Sequence, residues 1–205
     1  MGSVICSLWS GVRYSQNILM AIVKTGFAGL FIYEPAIYED SRGYFFESYN
    51  EKEFKAAGID IKFVQDNQAR SSYGVIRGLH YQLNPHAQTK LIRVLMGSIL
   101  DVVVDIRMDS PTFGMTFTLE LSETNKKQLL IPKGFAHGYS VLSETAEVFY
   151  KCDTFYNKGS EGGIIYNDAE LAIDWMIPNE RSVVSEKDKA YPGLKGCSNN
   201  FIFER

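Results

Sequence analysis

From residue 21 onward, apolar and polar positions alternate in short runs. The segments GLFIYEPAIYED, YFFESY, KFVQDNQARS, KLIRVL, SILDVVVDIR, MTFTLELS, KQLLIP, HGYSVLS, AEVFYKCDTFY and GGIIYND are bounded by turn residues and rich in β-branched and aromatic side chains. Two-residue periodicity over such lengths predicts strands. In SILDVVVDIR, Ile99, Val102, Val104 and Ile106 are interrupted by Asp101 and Asp105, which predicts a partly polar face. Met96-Gly97, between two of these runs, predicts a tight turn or bulge. Closely spaced strands with little helix between them point to an all-β sandwich or jelly-roll barrel, with no internal repeat, linker or second domain.

Two helices interrupt the series. In SYNEKEFKAAG, Asn50 can cap, Glu53 takes the third helical position and Gly58 can terminate. In SEKDKAYPG, Ser185 with Asp188 three residues on makes a capping-box-like start, and Pro192-Gly193 stops the segment. The opening MGSVICSLWSGVRYSQNILM lacks a basic start, a continuous apolar run and a clean small-residue cleavage site, so it reads poorly as a signal peptide. Residues 1–19 are expected to be an extension outside the fold, and residues 20–205 a single domain. No run of about 18 apolar residues is present to span a membrane.

Composition narrows the partners. The formal net charge of -3 argues against a nucleic-acid or anionic-membrane surface, so an anionic ligand must be held by a few local cations. Cys6, Cys152 and Cys197 are odd in number and show no CxxC spacing, which fits a reducing, cytoplasmic setting and suggests neither a disulfide framework nor a zinc knuckle.

The stretch GVIRGLHYQLNPHAQTKLIRV, residues 74–94, concentrates Arg77, His80, His86, Lys90 and Arg93. An isolated His80 would be read as a hydrogen-bonded, half-buried histidine. Cations packed together in an acidic protein instead answer an anion. Farther along, Pro132, Gly134 and His137 in IPKGFAHGY form a P-x-G-x-x-H pattern that resembles the second motif of the cupin jelly rolls. Metal-binding cupins add an H-x-H pair and a glutamate, whereas this chain has His80-Tyr81-Gln82. A metal held by His80, His86 and His137 is the alternative, with no carboxylate at suitable spacing. No G-x-G-x-x-G opens a helix, so a Rossmann-type nicotinamide site is not expected.

Taken in order, DSRGYFFESYN, FVQDNQARS, GVIRGLHYQ, KLIRVL, DVVVDIR, SPTFG, IPKGFAHGY, AEVFYK, SEGGIIYND and SEKD resemble the deoxythymidine-diphosphate-4-dehydrorhamnose 3,5-epimerase family from about Met20 to Pro192. The resemblance implies a cupin-type jelly roll with a few short helices. It also implies a homodimer with exchanged N-terminal strands, and epimerisation at C3 and C5 of dTDP-4-dehydro-6-deoxy-D-glucose without metal or nicotinamide. It assigns His80 as general base, Asp188 as its carboxylate partner, Tyr150 as general acid and Lys90 to the sugar C4 oxygen.

By the same resemblance Arg42, Glu47, Gln65, Asp66, Asn67, Arg77, His137, Glu161 and Lys187 hold the nucleotide-sugar. Arg42 and Glu47 would reach the partner's site, and Phe155 would lie against thymine. The departures are the N-terminal extension, a residue inserted between Trp175 and SEKD, and Tyr166 where many relatives carry tryptophan.

Each role has a structural counterpart. Asp188 can close the Ser185 capping box, Tyr150 can be a packing residue, and DSRGYF and Gln65-Asp66-Asn67 can be turns. Arg77 is harder to explain as core, because its planar fork suits diphosphate oxygens. Other functional readings are an epimerase of C3 or C5 alone, a non-catalytic carbohydrate-binding jelly roll, and a metal-dependent cupin oxygenase.

Overall fold

A computed structural model describes residues 20–204, so the expected extension over residues 1–19 lies outside the described residues. In chain order the first strands are β1 (Ala21–Lys24), β2 (Phe31–Glu34), β3 (Tyr38–Asp40), β4 (Gly43–Phe45), β5 (Gln65–Ser72), β6 (Val75–Gln82) and β7 (Lys90–Met96). They are followed by β8 (Ser98–Asp105), β9 (Thr116–Ser122), β10 (Gln128–Ile131), β11 (Phe135–Val141), β12 (Thr145–Cys152), β13 (Glu161–Gly163) and β14 (Val183–Val184). Helix α1 covers Glu51–Ala56 and α2 covers Glu186–Lys189.

One sheet runs β1-β2-β10-β7-β12-β5 and the other β13-β6-β11-β8-β9, with β14 added in parallel to β6. Apart from β14 the pairings are antiparallel, and β3 and β4 form a separate hairpin. This is the expected jelly-roll sandwich. Ile92, Val94, Leu129, Ile131 and Val148 of one sheet meet Ile99, Val103, Leu121, Tyr139 and Val141 of the other in the central core.

Alternation then gives each sheet a second apolar face, and each is covered. Phe54 of α1 and Ile59 pack on Tyr33, Leu91 and Leu130 of the first sheet. Leu171, Trp175 and Phe201 cover Ile76, Leu79, Leu100, Val102 and Val104 of the second. Each such side chain contributes about 1.5–3 kcal/mol through burial.

Local signals act as the sequence implies at both helices. The Asn50 side chain accepts a hydrogen bond from the Lys52 N–H, and Gly58 follows the helix end at φ 82°. Gly97 links β7 to β8 at φ 76°, where a Cβ would collide with Ser143 and Thr145. The partly polar face expected of β8 is not solvated, for Asp101 and Asp105 are both fully buried. Residues 75–82, which lack simple alternation, nevertheless form a full strand. YFFESY keeps only Tyr44 and Phe45 in a strand, and GGIIYND leaves its sheet after Gly163.

Candidate active site

Four strands of the sandwich and the segment after β12 enclose a cavity of about 170 Å³. Its walls include Gln65 and Asn67 of β5, His80 and Gln82 of β6, Lys90 of β7 and Tyr150 of β12, with Gln88, Tyr156 and Glu161 at the margin. Strand geometry selects these residues, since successive side chains point to opposite faces. Lys90 lines the cavity, while Leu91 joins the outer core and the Arg93 guanidinium lies over Phe46 and Phe149. Arg93 therefore leaves the cation cluster that the sequence suggests. Likewise Gln65 and Asn67 line the cavity, and Asp66 between them is exposed and pairs with Lys151 at 3.0 Å.

His80 Nε2–H donates to Asp188 Oδ1 at 2.8 Å. The other Asp188 oxygen accepts the Gly78 N–H at 3.2 Å. Ser185 Oγ accepts the Asp188 N–H at 3.1 Å, so Ser185 caps α2, while the Asp188 side chain serves His80 and Gly78 instead of reaching back to the cap. The capping box the sequence suggests is therefore only half formed. Burial pushes this carboxyl up, but the hydrogen bonds from His80 and Gly78 outweigh it and hold it below the usual carboxylate value. With Asp188 ionised, the neutral imidazole keeps its proton on Nε2 and leaves the Nδ1 lone pair available.

Lys90 Nζ stands 5.9 Å from the centroid of the Tyr150 ring. Burial lowers its pKa, while the negative character of Cys152, Asp101 and Glu161 works in the opposite direction. Burial raises the Tyr150 phenol, helped by Cys152 and Tyr139 and opposed by Arg77, so the hydroxyl stays protonated near neutral pH. Arg77 is exposed and donates from Nε to Ser71 Oγ at 3.1 Å, at home outside the apolar core.

His137 lies opposite His80 in the β11–β6 register, and its Nε2–H donates to Asp101 Oδ2 at 2.9 Å. It shares a smaller void of about 10 Å³ with Lys90, Gln82 and Gln88. At the cavity mouth, Lys187 forms an ion pair with Glu161. The three histidines do not converge: His80 is tied to Asp188, His137 to Asp101, and His86 to Asn157 at 3.4 Å. Among the described residues, no three His, Cys, Asp or Glu side chains are grouped to hold a metal ion.

Two expected contributors sit elsewhere. Arg42 pairs with Asp40 on the β3–β4 hairpin with 78% of its side chain exposed, and Glu47 accepts from Asn50 Nδ2. Neither lines this chain's cavity. Phe155 is exposed and outside the cavity wall, whereas its neighbour Tyr156 lines it. The Tyr156 N–H donates to Gln65 Oε1 at 3.0 Å and its hydroxyl to Glu161 Oε2 at 3.2 Å, which holds this ring, itself still exposed, along the cavity edge. Sequence reading missed Tyr156 by one position. It also missed Gln82 and Gln88, which accept the Asn157 N–H at 2.6 Å and donate to the Thr154 carbonyl at 2.7 Å, respectively, and so hold the cavity roof.

Comparison with known proteins agrees with this geometry. Residues 24–196 match the family model described as dTDP-4-dehydrorhamnose 3,5-epimerase. The Shigella flexneri dTDP-4-dehydrorhamnose 3,5-epimerase is 49% identical over 170 residues, 82% of this chain and 93% of that protein. The crystal structure of the Elizabethkingia anophelis enzyme of the same name superposes with a TM-score of 0.82 at 52% identity, covering 86% of this chain and 97% of that one. The Legionella pneumophila dTDP-6-deoxy-D-glucose-3,5-epimerase, solved in complex with dTDP-4-keto-L-rhamnose, gives 0.83 at 48% identity, covering 87% and 94%. The chain belongs to the dTDP-4-dehydrorhamnose 3,5-epimerase family.

Proposed function

We propose that this chain inverts C3 and C5 of dTDP-4-dehydro-6-deoxy-D-glucose to give dTDP-4-dehydro-L-rhamnose, the epimerisation that serves dTDP-L-rhamnose synthesis. The observation that carries the reading is the His80–Asp188 pair opening on a cavity shared with Lys90 and Tyr150. A C–H bond beside a ketone is acidic because the carbanion delocalises onto oxygen, and the C4 ketone activates both neighbours. His80 Nδ1 takes the proton from the carbon, and the imidazolium so formed is stabilised by ionised Asp188. Lys90 donates toward the C4 oxygen where negative charge develops. Tyr150 returns a proton to the opposite face of the planar enolate, and two such events invert both centres.

The remaining residues hold the nucleotide. Arg77 suits the diphosphate, and Gln65, Asn67, His137, Glu161 and Lys187 surround the sugar and base. In the place of Phe155, Tyr156 supplies the aromatic surface against thymine, because it is the ring on the cavity wall. Asp66 acts through Lys151 rather than by contact. We further infer a cytoplasmic homodimer in which exchanged N-terminal strands carry Arg42 and Glu47 to the neighbour's site. The exposed Tyr38, Tyr44 and Phe45 of the β3–β4 hairpin support that reading. In it residues 20–205 act as one domain, residues 1–19 stand outside it, and neither metal nor nicotinamide is used.

Incubation with the 4-keto-6-deoxyglucose nucleotide in heavy water, followed by magnetic-resonance identification of the sugar, tests the assignment. Deuterium is expected at both C3 and C5 of an L-rhamno product. Label at one carbon alone would reduce the activity to a mono-epimerase, and His80→Ala with undiminished exchange would remove the base. Tyr150→Phe is expected to retain exchange while inversion slows by roughly 10²–10⁴. Mixing Arg42→Ala with His80→Ala chains is expected to restore some activity, and none despite proven subunit exchange would count against a shared site.

A further inference from the structure

Tyr191 follows α2 and places its ring against the His80 imidazole, edge to face, with centroids 5.8 Å apart and planes at 66°. Gly163 of β13 makes the room: a Cβ there would stand 2.5–2.6 Å from three Tyr191 ring carbons. On another side the Lys187 ammonium lies 5.9 Å from the ring centroid. The Tyr191 hydroxyl is enclosed and, among the described residues, makes no hydrogen bond of good geometry, with Lys187 its cationic neighbour. Buried phenols ordinarily find one. The ring contacts with His80 and Gly163 therefore bear most of the residue's placement.

Among the described residues, the His80 side chain has one hydrogen-bond tether, from Nε2 to Asp188. A single hydrogen bond fixes where Nε2 sits but leaves the imidazole plane free to tilt, and an aromatic ring packed against it at a steep angle removes the freedom. Building on the reading of His80 as base, we propose that Tyr191 is a positioning residue: its ring holds the imidazole in the plane that keeps Nε2–H on Asp188 and leaves Nδ1 to the cavity, and it shields that hydrogen bond from water. Lys187, Asp188 and Tyr191 thus form one unit on the α2 segment, binding at the mouth and orienting the base behind it.

Tyr191→Ala is expected to lower kcat roughly fivefold to tenfold, the worth of an aromatic pair expressed as a rate, with KM nearly unchanged. Tyr191→Phe, which keeps the ring, is expected to restore most of that loss. Nitrogen-15 resonances of the His80 ring provide a readout independent of turnover. A single Nε2–H tautomer is expected in the wild type and the Phe variant, and a mixture in the Ala variant. The proposal is overturned if Tyr191→Ala keeps both wild-type kcat and one tautomer, if KM alone rises, or if the Phe variant loses as much as the Ala variant. Should Tyr191→Ala fail to fold, Tyr191→Leu faces the same measurements. If His80→Ala still exchanged deuterium, the base assignment would fall, while the tautomer measurement would still judge the positioning role.

Discussion

Strand β8 carries two fully buried carboxylates, Asp101 and Asp105, on the same face but partnered in opposite ways. Asp105 is saturated. Its Oδ1 accepts Arg107 N–H at 3.0 Å and Nε–H at 2.8 Å, and its Oδ2 accepts from Arg107 Nη2 at 2.7 Å, Ser110 Oγ at 2.6 Å and Thr112 Oγ1 at 2.7 Å. Arg107 in turn stacks on Phe135 and Phe203 and donates to the Ala28 carbonyl. Among the described residues, the Asp101 carboxylate has one partner, His137, and its Oδ1 has none. A buried oxygen left unpaired costs about 1–3 kcal/mol. The saturated carboxylate organises a loop and, through Arg107, the segments at Ala28 and Phe203, while the half-satisfied one stands behind the cavity, where its charge acts on Lys90.

The contrast breaks most visibly at Asp105. Asp105→Ala strands a buried guanidinium, so urea unfolding is expected to show a loss of about 3–5 kcal/mol, with turnover per folded molecule retained. Burial pushes this carboxyl up and its donors more than offset that, leaving it below its ordinary 3.8. The stability it contributes is therefore complete above that value and lost as pH falls through the folded one, and an Asp105→Asn chain should show a flatter acid limb.

Asp101→Asn should behave in the reverse manner. Removing the charge lets Lys90 lose its proton more readily and weakens the hold on His137. A fall in kcat of roughly tenfold to a hundredfold is expected, with stability changed by less than about 1 kcal/mol. Equal stability losses in the Asp101 and Asp105 variants would erase the distinction.

Lys90→Met sharpens it further, as an apolar side chain of similar length should stabilise the fold by about 1 kcal/mol while turnover is lost. Because burial lowers the Lys90 pKa below 10.5, the wild type gains stability as pH rises from the folded value toward 10.5, so the variant's advantage should shrink in alkali. The smallest effect is expected for Ser110→Ala, about 0.5 kcal/mol by denaturant titration, because four other donors to Asp105 remain.

Much of this architecture was legible from residue patterns. Both helix caps and nearly all the strands follow from spacing and turn chemistry, and His80, Lys90, Tyr150 and Asp188 meet as the family resemblance implies. Strand β6 was hidden because Arg77, Gly78, His80 and Gln82 interrupt a continuous apolar pattern. Asp101 read as a polar face because a sequence does not reveal that His137 lies on the neighbouring strand. Arg93 was misplaced for the same kind of reason: proximity along the chain says nothing of which face of the sheet a side chain takes. Phe155 and Tyr156 are chemically alike, and only their hydrogen bonding separates them.

His80, the proposed base, and its partner Asp188 are 108 positions apart, on β6 and on α2. During synthesis on the ribosome, a growing chain carries the whole of β6 long before Asp188 emerges. Every truncated product that ends between β6 and α2 therefore has the histidine without the carboxylate it bonds. On the proposed mechanism such fragments are silent as catalysts, and measured activity counts only chains made through that final clasp.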